Sequence, residues 1–398
     1  MTKLILLTIS IICGLATFAG ESTRINVLNY KSLVKNPGAK NADWHPAFQK
    51  AIEDAWKSSR ILYVPAGTYN ISKTITIWKK PGAAFVGTAF KLVGDGRYVS
   101  TIRQTDPKQN CVDWTGKNYK GSVSAGTIQD ICLVGGKITL NMKWHNQFTM
   151  RSCYIVGAKE IGIYSEGWSN RFLDIVVRHC PNIGFKGYSH FNDITIRDGY
   201  FSRCGVAIYL HGGRGVRISG IGIEQSHFGI YFGSITSAKV DSCYFECVGL
   251  RKVKKAMLKY GPPSNIVINQ NTAGVSVENC IFRATRNCYF YLAGGTNITI
   301  SQNVFQNSFN EAIAYFAPTS LSRKKTPTSF KNIIIKNNFV YENTKLRKTP
   351  VPYFYLAGNR ELMDKAIKAG CKLYKQADKT KYGDLGKLDG KLQKTKMD

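Results

Sequence analysis

The chain has 398 residues, 43% of them hydrophobic and 12% aromatic, with 55 Lys and Arg against 25 Asp and Glu, a formal charge of +30. That apolar content excludes a disordered chain, and after the first residues no stretch approaches the roughly 18 uninterrupted apolar residues of a membrane helix. A field this positive gathers polyanions, whereas charge alone would hold nucleic acid only unspecifically, so no specific nucleic-acid partner is expected. Only 14 basic and 6 acidic residues follow position 344, so most of the excess lies in the body of the chain.

In chain order, Lys3, the apolar run Leu4 to Leu15 and the small-x-small site Thr17-Phe18-Ala19 form an export signal over residues 1–20. They predict a secreted or periplasmic protein without a membrane span. Residues 21–100 read as an N-terminal cap and first strands. Phe48, Ile52, Ala55 and Trp56 stand at helical spacing within Asp43 to Ser58, and a strand from Ile61 to Tyr69 follows. Such a helix would cover an open sheet edge.

Residues 101–345 read as the body of the fold, and from about residue 127 one phrase returns every 20 to 25 residues: apolar alternation, a Cys or Asn, an apolar pair, then Gly or Ala. Copies include Ile131-Cys132, Ser152-Cys153-Tyr154-Ile155, Ser242-Cys243-Tyr244-Phe245, Asn279-Cys280-Ile281-Phe282, Gln302-Asn303-Val304-Phe305 and Asn337-Asn338-Phe339. A period of two nested in this longer one predicts an all-β, right-handed, single-stranded parallel β-helix. The repeated Asn or Cys would point inward and stack on its counterpart in the next coil. Of the 11 cysteines, Cys153, Cys243 and Cys280 therefore read as buried substitutes in an asparagine ladder rather than as disulfides. Residues 346–398 form a basic tail with a short helix expected from Asn359 to Ala369.

The helix Asp43 to Ser58, Val64-Pro65-Ala66-Gly67-Thr68-Tyr69 and Leu92-Val93-Gly94-Asp95-Gly96 together resemble the opening of the pectate lyase superfamily. The resemblance covers about residues 25 to 345. It implies a β-helix that acts on or binds polysaccharide, as lyase, glycosidase, epimerase or tailspike, with its cleft along the strand after the ladder turn. It is specific for fold and weak for reaction.

On that strand, alternation turns Tyr164, Lys186, Tyr209, Tyr231 and Tyr291 outward in one column, with Glu166, Tyr188 and His211 in the next. Exposed tyrosine faces would stack on sugar rings and a cation would meet a carboxylate or sulfate; the alternative is a tyrosine ladder that only stabilises the sheet. Uronate β-elimination needs carboxylate neutralisation, a base and an acid. Tyr209 or Lys186 is the expected base, His211 assists or binds the carboxylate, and Arg214 neutralises charge. Tyr164, Tyr231, Tyr291, Tyr188, His190, Arg251 and Lys252 are the expected substrate-binding residues, the last two in an insertion that walls the groove, as does a second one from Pro318 to Phe330.

Glu224 and Glu246 align on successive coils beside Arg178 and Arg283. They read as a surface salt-bridge row rather than a glycosidase pair or calcium site. His145, His179, His190 and His227 lack metal-site spacing. No cofactor is expected, with calcium left open, and the partner is an anionic polysaccharide. A capped solenoid is stable alone, so a monomer is expected. The reading is a polysaccharide lyase on a uronic-acid polymer, against a hydrolase or epimerase on acidic or sulfated glycan, or a non-catalytic polysaccharide binder.

Overall fold

The structure, a computed structural model, describes residues 24–341 except 59–60, 78–89, 117–122, 250–258, 286–287, 307–311 and 318–328, together with 354–356, 372–373 and 386–388. The export signal, Arg251, Lys252 and the helix expected over Asn359 to Ala369 lie outside the described residues.

The chain is a right-handed parallel β-helix. Each coil contributes a strand to each of three faces, and every pair among the described strands is parallel except 386–388 against 338–340. The first face includes Tyr154–Val156, Val176–Arg178, Tyr200–Ser202 and Tyr244–Glu246. The second is built from Ile161–Trp168, Ile183–Asn192, the start of Val206–Ser219, Phe228–Phe232, Ser264–Asn269 and Cys288–Ala293. The third takes Thr149–Arg151, Arg171–Leu173, Thr195–Arg197, the end of Val206–Ser219 and Ile235–Asp241. Coils stack about 4.8 Å apart. Inward residues therefore lie on their own counterparts, as Phe245, Phe282 and Phe305 do with centroids 4.6 and 5.2 Å apart.

The corner from third to first face needs one left-handed residue per coil. Short polar side chains fill it: Ser152, Asp174, Asp198, Ser242, Asn279, Gln302 and Asn337 all have φ between 49 and 58°. The ladder residue follows. Asn303 accepts from the Cys280 amide at 2.9 Å and donates to the Val277 carbonyl at 2.9 Å, and Asn338 repeats the pattern one coil on. Cys153, Cys243 and Cys280 occupy the same corner as buried thiols, each 3.1–3.2 Å from the carbonyl two residues earlier.

Two details differ from the sequence reading. Cys132 faces Tyr154, so Ile131 and not Cys132 holds the ladder position of its coil. Between Cys153 and Cys243, register puts Ile175, Gly199 and Ile221 in that column, so the polar ladder is interrupted. There apolar burial replaces a hydrogen-bonded side chain.

Helix His45–Ser58 lies over the open end. Phe48 is buried with Ala47, Ala51, Ile52 and Ala55, while Trp56 stacks on Phe90 at 5.2 Å. Asp43 fixes the entry by accepting from the His45 and Ser72 amides and the Ser72 hydroxyl. The strand expected as one run from Ile61 to Tyr69 is two, Ile61–Val64 and Gly67–Ile71. Asp95 binds the break through the Ala66 amide at 2.8 Å and Tyr63 hydroxyl at 2.6 Å.

Replacing Asn303 by Ala strands the Cys280 amide and the Val277 carbonyl in the core. The expected cost is about 2–4 kcal/mol, read as a fall in the urea midpoint; an unchanged midpoint would contradict the ladder's role.

Candidate functional site

Register on the second face brings the expected column together: Asn141, Tyr164, Lys186, Tyr209 and Tyr231 pair in sequence, then Val267, Tyr291 and Tyr315. Val267 interrupts the aromatic run. Its coil follows the insertion ending at Pro263, which hid the strand in the sequence pattern.

The expectation of open tyrosine faces is corrected by burial. Tyr164, Tyr231 and Tyr291 are only 9, 5 and 8% exposed. Tyr209 lies flat on Tyr231 at 4.9 Å, Tyr291 on Tyr315 at 5.2 Å, and Tyr260 closes edge-on against Tyr209 and Tyr231. Rings one coil apart pack on each other before they can offer a face to a ligand. Tyr188, at 38%, is the exposed ring of the group.

The open part of the face centres on Lys186. Its Nζ sits over three rings, 4.9 Å from the Tyr188 centroid, 5.4 Å from Tyr164 and 5.9 Å from Tyr209. Half-burial in this cage, then Lys259, lowers the Lys186 pKa; Glu166 opposes the shift and Lys143 adds to it. His211 pairs with Tyr188 across the coils, its ring stacked at 5.2 Å, and burial followed by Lys186 lowers its pKa. Gly233 makes room for that imidazole, because a side chain there would collide with Nδ1. Glu166 accepts from the Tyr164 hydroxyl at 2.6 Å. Burial holds Tyr209 protonated far above the ordinary phenol value, and pushes Tyr231 and Tyr291 up to about 12.

Beyond this cluster the repeat is broken at one place in three successive coils. Register shifts fall between Met142 and His145, Ser165 and Trp168, and Tyr188 and Phe191. In the third, Ser189 and His190 are both left-handed, at φ 48 and 46°. Tandem left-handed non-glycine residues are costly and collect at working sites. The bulges swing His190 out against Trp144, with centroids 5.4 Å apart. Arg214 does not join the Lys186 cluster directly. It stands exposed at the corner beyond left-handed Gly212, paired in register with Asn192 and Thr236.

Lys143 and Trp144 were missed in the sequence, and Lys259 and Tyr260 were read only as part of the insertion that walls the groove. Lys143 was findable as the outward residue two beyond Asn141; the others depend on the bulges and on an insertion's return path. Glu224 and Glu246 lie on the first face, away from this cluster, where Tyr200 and Tyr244 hydroxyls and Arg283 engage them. His145 is fully buried with Nε2 2.6 Å from the Trp114 carbonyl, and burial lowers its pKa to about 4. Among the described residues no three His, Cys, Asp or Glu side chains gather as a metal site, and no helix is long and apolar enough to cross a membrane.

A three-faced coil of parallel strands defines the class as a parallel β-helix. Residues 138–305 match the family described as right handed beta helix region, and residues 26–122 match rhamnogalacturonase A/epimerase, pectate lyase-like. Together the two matches indicate a right-handed β-helix of the pectate-lyase-like superfamily. No curated protein sequence matches it. Among solved structures it is similar to ORF18 of Geobacillus virus E2 at 19% identity, with a TM-score of 0.50, covering 81% of this chain and 61% of that one. DFA-IIIase from Arthrobacter chlorophenolicus A6 in complex with GF2 shares 10% identity at a TM-score of 0.61, over 85% of this chain and 92% of that one. The Agl-KA catalytic domain shares 14% at 0.52, over 84% and 68%. At such identities the likeness shows the fold alone.

Competitive acetylation across neutral to alkaline pH should give Lys186 a titration midpoint below the ordinary lysine value. Glu166→Gln should lower it further, because the carboxylate is the group that raises it. An ordinary midpoint would refute the cage.

Proposed function

We propose that the protein is a polysaccharide lyase that cleaves an acidic, uronic-acid-containing polymer by β-elimination. The observation that carries this reading is Lys186, held in a cage of three tyrosines, beside His211, both with pKa values moved below their ordinary values. A downward shift favours the uncharged amine or imidazole, the form that proton abstraction requires. Tyr209 shifts the other way. A phenol that stays protonated is better suited to donate than to act as base, so this reading takes Lys186 as the base, with His211 beside it.

In the step proposed, the base removes the proton at C5 of the uronate. The electron pair forms the C4–C5 double bond, the C4–O bond breaks, and Tyr209 protonates the departing oxygen. Lys143 and Lys259, whose charges are felt at Lys186, draw in the carboxylate that acidifies C5. Arg214 at the corner and His190 on Trp144 serve neighbouring sugar units. Export by the signal over residues 1–20 would put the enzyme where such polymers are found.

One solved structure of this fold is named an enzyme, DFA-IIIase, and another a catalytic domain, Agl-KA, which supports an enzyme on this scaffold. A second reading, glycoside hydrolysis, is favoured by one observation: Glu166 is a carboxylate in the cluster, bonded to Tyr164.

Incubation with alginate, pectate or glucuronan should raise ultraviolet absorbance as the conjugated double bond forms. Lys186→Ala and His211→Ala should each slow it by about 10²–10⁴, and activity should rise with pH as the base loses its proton. Full activity in Tyr209→Phe and His211→Ala together would sink the assignment. Chain cleavage without absorbance, abolished by Glu166→Gln, would make it a hydrolase.

A further inference from the structure

The third face carries a second charged array that the proposed reaction does not use. Its outward positions hold Arg151, Arg171, Arg197, Arg217 and Lys239 on five successive coils, all exposed. Register shows how they are arranged. Arg171 pairs with Thr149 and Thr195, and Arg217 with Thr195 and Lys239, while Arg151 and Arg197 both face Leu173 in the neighbouring column. The first four cations thus alternate between two columns, one per coil, with threonines between them, and Lys239 continues the Arg217 column.

We propose that this face is a second binding surface for a linear polysaccharide bearing one anionic group per sugar, lying along the helix axis. One cation per coil is a rise of about 4.8 Å, close to one sugar unit in an extended chain. Nucleic-acid phosphates come about every 3.4 Å along each duplex strand and fall out of step with it. The zigzag suits a polymer whose successive acidic groups point to alternate sides, and the threonine hydroxyls face its ring hydroxyls. Carboxylates are present but weakly committed: Asp198 meets Arg197 at 2.9 Å, Asp193 meets Arg217 at 3.4 Å and Glu278 meets Lys239 at 3.4 Å. Arg151 and Arg171 have no carboxylate within 4 Å among the described residues. Exposed pairs of this kind are worth little, so a polyanion can displace them. Arg214 stands at the corner between this face and the Lys186 cluster. The surface can hold a long chain while one stretch of it crosses the second face.

The inference shares the acidic-polysaccharide reading above but not its chemistry, and binding tests it whether or not the protein is a lyase. Affinity for long polygalacturonate and alginate, for their trimers and for duplex DNA is measured over a salt series. The proteins compared are the wild type, the Arg151→Gln/Arg171→Gln/Arg217→Gln variant and Lys186→Ala, with thermal unfolding as the folding control. The triple variant should lose about tenfold in affinity for one or both long polymers, with a shallower salt dependence. Its handling of trimers should match the wild type, and Lys186→Ala should keep long-chain binding. Wild-type protein that binds neither polymer overturns the proposal. So does a triple variant within about twofold of wild type, or one that loses DNA and polysaccharide equally, since then only unspecific charge is at work. Absence of double-bond formation with binding intact would remove the lyase reading and leave this surface standing.

Discussion

Each described coil hands its backbone hydrogen bonds to the next at a spacing of about 4.8 Å, in register except at the bulges of the second face. From this one constraint follow the columns. An inward residue meets its own counterpart, which is why phenylalanines stack on phenylalanines and asparagine bonds asparagine. An outward residue also meets its counterpart, so like charges in one column would repel. The chain avoids this by placing Lys186 between tyrosines and, through most of the third face, by alternating its arginines between two columns.

The candidate site lies where that regularity fails. Three coils bulge at the same point on the second face, and the left-handed pair Ser189–His190 turns side chains that a plain strand would have buried or sent elsewhere. Close backbone approach accompanies it: Gly167 lies so near the His145 carbonyl that no side chain fits. The regular coils supply rigidity, and beside the irregular ones unlike groups face one another. Lys186 and His211 lie together there, and the Lys186 charge adds to burial in lowering the proton affinity of His211.

Surface charge and site chemistry are separable in this protein. The cations of the third face are exposed and would act on a ligand through number and spacing. Lys186 is half-buried and acts through its cage. Glu224 and Glu246 show a third use of charge, bracing the first face through tyrosine hydroxyls and Arg283.

The amino-acid sequence by itself determined the coil, its corners and the membership of the tyrosine column, because a period of two inside a repeat of 20 to 25 residues is a local pattern that any reader of the chain can follow. It also determined the cap, since Phe48, Ile52 and Ala55 mark a helical face without reference to anything distant. Where the period slips by one residue, as at Cys132, or vanishes into an insertion, as before Val267, the pattern misleads. The burial of Tyr164, Tyr231 and Tyr291 was decided by tertiary structure. Alternation says only that a side chain points outward, while rings on coils 4.8 Å apart fall upon one another. The Lys186 cage, the place of Arg214 at a corner and the bulges around His190 were likewise settled only in three dimensions, because each depends on how neighbouring coils align.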